Sequence, residues 1–339
     1  QHYMSELRVE QFRGGSLESV HRIHAVVVDY KGTAIAHAGD PQYVSFMRSA
    51  AKPLQALPLI KDGVVEEFAI TSQELALACA SHNSEVAHVE LVASFLARLG
   101  YSEGDLACGP HKSLLPELDS HPQDAECEPT LAPESRLANN CSGKHTGMLA
   151  LAKRHEWPSD GYHQKDHPVQ RRCLEEISQW SDVPEGDIGC GVDGCGVVTF
   201  ALPLRNMALA YARLAAQASE PERHVFAAMT SNPHLVAGTR RLCTELMRAY
   251  ADEVVAKVGA GGVYLAALLD SKLGIALKVE DSNARAAEVA LVRVLAELGV
   301  PDVESRLEAF AHPSVYNTRG EVVGSVRSVG GLAFSNKKS

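Results

Sequence analysis

This sequence lacks any excess of basic residues. Its 339 residues carry 32 Lys and Arg against 42 Asp and Glu, a formal net charge of −10. Nucleic acid and anionic membrane surfaces both need cationic patches, so neither is expected as a partner. No apolar run approaches the roughly 18–20 residues of a membrane span. The first residues show no charged stretch leading into an apolar one, so no secretory signal is expected. Gln1-His2-Tyr3 reads as an added tripeptide ahead of Met4, taken as the natural start. Internal repeats and low-complexity linkers are missing too. Apolar residues make up 45% and charged residues 22%, enough for a substantial core and ordinary for a globular chain. The eight cysteines, Cys79, Cys108, Cys127, Cys141, Cys173, Cys190, Cys195 and Cys243, are even in number. A large chain without an export signal is a poor disulfide scaffold, so reduced thiols in a cytoplasmic protein are expected, some of them free to bind metal.

The pattern predicts strands near both ends and helices between. Residues 22–38 read as a β-hairpin turning at Lys31-Gly32, since Ile23–Asp29 is apolar and β-branched. Pro53 suits the first turn of a helix and fixes a start close to Ala50–Lys52. Thr71-Ser72-Gln73-Glu74 is a capping box opening a helix to about Cys79. Ser84 is expected to cap a helix over 85–99 closed by Gly100. Residues 109–140 read as a long irregular segment. A helix follows 141 to about Arg154, and Pro168 opens another to about Trp180. A glycine-rich loop at 189–196 precedes the apolar run Val197–Leu202, and helices are predicted at 203–217, 221–230 and 234–250. The period then becomes two, giving strands at 254–258, 262–269 and 274–279, a helix at 284–299, and strands or loop at 319–334. The fold class expected is α+β, one antiparallel sheet built from both chain ends with an inserted helical lobe of about 60–250.

Ser49-Ala50-Ala51-Lys52 places a lysine one helical turn after a serine. A buried lysine that loses its proton is a base, and a serine hydroxyl needs one to become a nucleophile. This is the Ser-x-x-Lys arrangement of penicillin-binding proteins and class A β-lactamases. Relaxed versions of the two companion motifs follow in order: Ser81-His82-Asn83 between two predicted helices, and Lys257-Val258-Gly259 on a late strand. Two serines and two lysines converging on one pocket would lower each other's cost of deprotonation. The plainer alternatives are a loop serine at 81 and an edge-strand lysine at 257 that guards against aggregation.

A second group is Cys141, Lys144, His145, Asp193 and Cys195. Its spacing is not that of a zinc finger, but glycine-flanked cysteines with a nearby His and Asp suit a metal such as zinc. Gly143-Lys144 is not a nucleotide-binding loop, because His145 follows the lysine and Ala138 stands where the first glycine belongs.

Arg48-Ser49-Ala50-Ala51-Lys52-Pro53, Cys79-Ala80-Ser81-His82-Asn83-Ser84-Glu85 and Asn140-Cys141-Ser142-Gly143-Lys144-His145 resemble the rhizobial-type L-asparaginases, the asparaginase II family. So do Asp193-Gly194-Cys195, Val236-Ala237-Gly238, Leu242-Cys243-Thr244, Lys257-Val258-Gly259-Ala260 and Lys278-Val279-Glu280-Asp281, and the resemblance runs from about residue 9 to about 330. It implies a fold like serine-dependent glutaminases and β-lactamases, over one catalytic domain of residues 4–339. It implies a homodimer that hydrolyses L-asparagine, with little use of glutamine. By the family pattern Ser49–Lys52 and Ser81–Lys257 are two serine–lysine pairs, Ser49 being the nucleophile. Cys141, Lys144 and Cys195 match its zinc ligands. Arg48, His82, Asn83, His145 and Asp193 fall to substrate binding or orientation, and Cys243 lies near the site. Other serine–lysine amidohydrolases, such as a glutaminase or a penicillin-recognising acyltransferase, and a non-catalytic zinc-binding amino-acid sensor are the alternatives.

Overall fold

A computed structural model describes residues 6–115 and 129–335. The chain divides into two compact units, one of Gln1–Ala50, Leu202–Ala216 and Ala256–Ser339, the other of Ala51–Ala201 and Gln217–Val255. The described strands are β1 (Leu7–Arg13), β2 (Ser16–Asp29), β3 (Ala34–Ala38), β4 (Val44–Phe46), β5 (Gly189–Val192), β6 (Val198–Pro203), β7 (Val254–Gly259), β8 (Val263–Leu268), β9 (Leu273–Val279), β10 (Ser314–Tyr316), β11 (Val322–Gly330) and β12 (Ala333–Phe334).

The first unit is built on a nine-stranded sheet in the order β10-β11-β1-β2-β9-β8-β7, with β3 on β2 and β12 on β3. β2 organises it. Residues Ser16–Ile23 pair with β1, Ala25–Val28 pair with β3, and Ile23–Asp29 pair with β9, all antiparallel. The run Ala25–Val28 is wholly buried, which requires cover on both faces of the sheet. The helices Leu204–Ala216 and Ala284–Glu297 pack on its strands. Leu204–Ala216 lies so close that a Cβ on Gly274 would stand 1.8 Å from the Ala208 carbonyl oxygen, so only glycine fits there.

The expected α+β class and the antiparallel sheet drawn from both chain ends are what the structure has. The predicted hairpin is β2–β3, though β2 starts six residues earlier. β1 was not predicted; its partner β11 comes from the far end of the chain.

The second unit is mostly helical. Its helices include Lys52–Lys61, Ser72–Ala78, Val86–Arg98, Ser142–Arg154, Pro168–Ser181, Glu220–Ser231 and Leu242–Ala249. The capping box at Thr71 and Glu74 and the Pro168 helix start are both present. Arg172 and Lys61 meet on the fully buried Glu176, at 2.6 and 2.9 Å, and Arg172 also grips Asp62 at 3.0 Å, which joins the first helix of this unit to Pro168–Ser181. No described helix is long and apolar enough to cross a membrane.

Three expectations need correction. Glu85, not Ser84, is the cap of Val86–Arg98, because Ser84 turns to φ +61° and its hydroxyl donates to the Ala138 carbonyl. Residues 189–192 are a strand rather than loop, since Gly189–Val192 pairs with β6 across Val198–Ala201. The helix expected at 234–250 is broken into Pro233–Val236 and Leu242–Ala249, with Gly238 between them at φ +113°. Of the segment 109–140, residues 116–128, Cys127 among them, lie outside the described residues.

Candidate active site

Lys52 opens the first helix of the second unit and is wholly buried. Its Nζ donates to Ser81 Oγ at 2.9 Å and to the Ala80 carbonyl at 2.5 Å. Burial pushes its pKa below the usual lysine value; Lys144 adds to this, while the Cys141 and Cys195 sulfurs oppose it. The site therefore brings together a serine hydroxyl and a lysine whose charged form is disfavoured, the two things general-base activation needs.

Ser81, His82 and Asn83 lie between the helices Ser72–Ala78 and Val86–Arg98, and the main chain fixes them on both sides. Ser81 and Asn83 N–H groups donate to the Val236 and Ala237 carbonyls at 2.9 Å each, and His82 N–H donates to Asn140 O at 3.2 Å. Arg241, buried and absent from the sequence-based candidates, donates from Nη1 to Ser81 O (3.2 Å) and Asn83 Oδ1 (2.8 Å). Asn83 gives its amide hydrogens to Thr239 O and Glu85 Oε1. The break at Gly238 makes this possible, because a Cβ there would be 2.6 Å from both Asn83 Nδ2 and Glu85 Oε1. His82 accepts the Ser84 N–H on Nδ1, so its Nε2–H donates to Ser142 Oγ at 2.9 Å, and that hydroxyl passes on to Leu137 O. Burial, then His88 and Lys52, push the His82 pKa well down, keeping the ring neutral. Both ring nitrogens of His82 and both amide hydrogens of Asn83 are thus spent on holding the segment around Ser81.

Behind His82 the rings of His88 and His234 continue a stack with 5.0 Å between successive centroids. Burial lowers the His88 pKa to about 4. Burial alone would raise that of Glu85, but hydrogen bonds from His234, Thr239 N–H and Asn83 outweigh it and bring the carboxyl to about 2. Both groups bind fewer protons folded than unfolded in acid, so stability must fall with falling pH. The His88 share is lost from about pH 6.5 down to its folded value, and the Glu85 share from about pH 4.3 downward. Urea midpoints should therefore drop from pH 7.5 to pH 5, and His88→Asn should flatten that drop; an equally steep drop in the variant would assign it to other groups.

The second cluster also assembles. Cys141 precedes the helix Ser142–Arg154, Lys144 is in its first turn, and Cys195 sits on the turn joining β5 to β6, closed by Gly196 N–H to Asp193 O at 2.9 Å. Lys144 Nζ donates to Cys195 Sγ at 3.0 Å, and Cys141 and Cys195 share a hydrogen bond. That bond, with Lys144, lowers the Cys195 pKa to about 4 against its burial, while the same bond and burial raise Cys141 to about 12. One proton remains on Cys141 and the charge rests on Cys195. Burial works against the Lys144 ammonium, but the two sulfurs, with Asp193 behind them, favour it more and raise its pKa. Among the described residues no three of His, Cys, Asp and Glu gather around one point, so any metal site here needs the lysine. Two sulfurs, one already a thiolate, and one amine nitrogen on a common spot are a donor set that suits zinc, provided Lys144 gives up its proton.

His145 is wholly buried beside this cluster, and burial followed by the Lys144 charge holds its pKa near 3. Its Nδ1 is 2.6 Å from the Tyr162 hydroxyl, another group the sequence reading missed. Neither Tyr162 nor Arg241 carries a local signal, but the glycine that breaks the 234–250 pattern marks the place where Arg241 turns inward.

In the first unit, Arg48 and Ser49 occupy the 3-10 turn Arg48–Ala51, both half-buried, with Arg48 at φ +51°. Lys257 is wholly buried on β7 and donates to Val258 O at 3.1 Å. β7 passes so near the segment ahead of Ser49 that a Cβ on Gly259 would stand 2.5 Å from Met47 O. Ser49 and Lys257 are thus on adjoining segments of one unit, and Lys52 and Ser81 are in direct contact in the other.

No curated protein matches this sequence. Among solved structures it is similar to Mglu in its native form, at 15% identity and a TM-score of 0.46, over 82% of this chain and 64% of that one. The chain thus spans a little under two thirds of the length of that protein. It is also similar to the D-alanine carboxypeptidase AmpC from Burkholderia cenocepacia, at 13% identity and a TM-score of 0.34, over 84% of this chain and 90% of that one. The family model of L-asparaginase II matches residues 9–328, which takes in every site residue described above, and the chain belongs to that family.

Proposed function

We propose that this protein hydrolyses L-asparagine to L-aspartate and ammonia through a serine acyl-enzyme. The observation that carries the reading is the 2.9 Å contact between buried Lys52 Nζ and Ser81 Oγ, in a chain of the L-asparaginase II family. A serine oxygen attacks the side-chain amide carbon as its proton passes to a lysine. The amide nitrogen takes up a proton and leaves as ammonia, and water then attacks the ester, frees aspartate and restores the hydroxyl. The family motifs assign the first attack to Ser49, with Lys52 as its base, and give Lys257 to Ser81 as a second pair. Arg48, His145 and Asp193 are read as binding or orienting the substrate. Cys141, Lys144 and Cys195 are the residues that would hold zinc, which when bound supplies a Lewis acid beside the amide. A cytoplasmic homodimer completes the reading.

The test is ammonia release by the purified chain from L-asparagine and from L-glutamine, each with added zinc and with a chelator. Release from asparagine, with glutamine at least about tenfold slower, is the expected result. Faster release from glutamine, or covalent labelling by a β-lactam without asparagine turnover, assigns the chain to another serine–lysine acyl-transfer enzyme. No amide turnover under any of these conditions removes the hydrolase reading.

A further inference from the structure

Tyr162 is buried, and its hydroxyl has two partners. The Ala107 N–H donates to it at 2.9 Å, and His145 Nδ1 lies 2.6 Å away. Two hydrogen placements satisfy these distances. If His145 Nδ1 carried the hydrogen, the Tyr162 oxygen would accept twice, leaving its own buried O–H without an acceptor and His145 Nε2 as a bare lone pair without a donor. If the hydroxyl donates to Nδ1, every hydrogen at Tyr162 is used and one polar group is left over, the Nε2–H of His145. Buried polar groups left unmatched are costly, so the second arrangement is favoured. Nε2 is shut off from solvent and has no acceptor among the described residues. His145 follows Lys144 directly in the first turn of Ser142–Arg154, so the orphan donor lies beside the Cys141, Lys144 and Cys195 cluster of the proposed active site.

We infer that Tyr162 is a positioning residue that locks His145 as the Nε2–H tautomer, presenting a buried hydrogen-bond donor to a carboxylate or carbonyl oxygen of the amino-acid substrate. The ligand half of this rests on the proposed function; the tautomer half does not. Tyr162 acts through the backbone as well, because the Ala107 N–H it accepts fixes the hydroxyl's direction. Held in one tautomer, His145 presents a donor in a fixed direction, and it discriminates against substrates that offer no oxygen at that point.

The experiment is ¹⁵N NMR of the full chain labelled at histidine, with the His145 resonances identified by their loss in His145→Gln. In the free protein, Nε2 should carry the hydrogen and Nδ1 should show the shift of a bare acceptor. Tyr162→Phe should abolish that pattern, and L-aspartate should move the Nε2–H resonance in the wild type. In ammonia-release kinetics, His145→Gln, whose amide N–H reaches the Nε2 position, should keep KM within about threefold of wild type, whereas His145→Asn and Tyr162→Phe should raise KM about ten- to a hundredfold, the scale of one hydrogen bond to a charged group. A wild-type ring protonated at Nδ1, or equal damage from Gln and Asn, overturns the inference. Failure of asparagine turnover would instead strike the proposed function, since the tautomer is read in the free protein, and if Tyr162→Phe does not fold the wild-type spectrum alone decides.

Discussion

Replacing Lys52 by methionine is expected to lower kcat for ammonia release by about 10²–10⁴-fold, the range of a lost general base, while the chain stays folded. Lys52 is wholly buried and bonds the Ser81 hydroxyl, the Ala80 carbonyl and the Cys141 sulfur, and no described carboxylate pairs with it. A buried cation so placed contributes little to stability, and an apolar side chain of similar length removes its desolvation cost. The carbonyl of Ala80 and the hydroxyl of Ser81 each lose a donor, at a cost of about 1–3 kcal/mol for an unsatisfied group, which offsets that gain. Thermal midpoint and kcat should thus separate, the first moving by a few degrees and the second by orders of magnitude. Lys52→Arg should not restore the rate, because a guanidinium keeps its proton and cannot serve as a base. Ser49→Ala and Ser81→Ala are expected to be as damaging as Lys52→Met. A Lys52→Met enzyme within tenfold of wild type would reduce the lysine to a structural prop for the Ala80–Ser81 carbonyl and hydroxyl, and the serine–lysine mechanism would lose its base.

What the sequence made legible follows from how local each cause is. The strands 254–279 declare themselves because the apolar period there becomes two, the repeat of a strand. Pro168 and the Thr71–Glu74 box declare two helix starts because capping is decided within four residues. β1 was missed despite a local signal, the Gly14-Gly15 turn that joins it to β2; only its pairing with β11, some three hundred residues away, leaves no mark on either strand alone. The predicted helix at 234–250 failed at Gly238, whose backbone turns because Asn83 and Glu85, about 150 residues earlier, occupy the space a side chain would need. The site divides in the same way. Ser49, Lys52, Ser81 and Lys257 could be named from short motifs, as could Cys141, Lys144 and Cys195. That Lys52 bonds Ser81, that Arg241 holds the Ser81 and Asn83 oxygens, and that Tyr162 faces His145 are tertiary facts, set by contacts 17 to 160 residues apart. Sequence supplied the candidate groups; distance in the chain concealed what orients them.

The same dependence on close approach makes Gly143→Ala a substitution that should cost both stability and rate. Gly143 stands in the first turn of Ser142–Arg154, between Cys141 and Lys144. Its Cα faces the helix Ser72–Ala78, and a Cβ would be 2.2 Å from the Leu77 carbonyl oxygen and 2.8 Å from the Leu77 carbonyl carbon. Backbone cannot turn aside as a flexible side chain does, so the two helices must part by on the order of 1 Å, and a misplacement of that size near reacting groups can cost about 10²-fold in rate. One helix carries Cys141, Lys144 and His145, and the other runs into Ser81, so parting them moves both halves of the cluster in this unit at once. Overpacking of this kind costs about 1–3 kcal/mol, more than the roughly 1 kcal/mol that alanine gains over glycine inside a helix. Gly147, one turn along the same helix, supplies the control. There a Cβ meets Ala78 Cβ and Leu59 Cδ1 at 3.3 Å, side-chain atoms that can yield by a few tenths of an ångström, so Gly147→Ala should be close to neutral. The Leu77 Cγ also lies 2.7 Å from that Cβ, but the nearest obstacle is the main-chain oxygen, so trimming the neighbour in a Gly143→Ala, Leu77→Ala double variant should not restore activity. Recovery in that double variant would show that the side chain of Leu77, rather than its carbonyl, sets the distance between the helices.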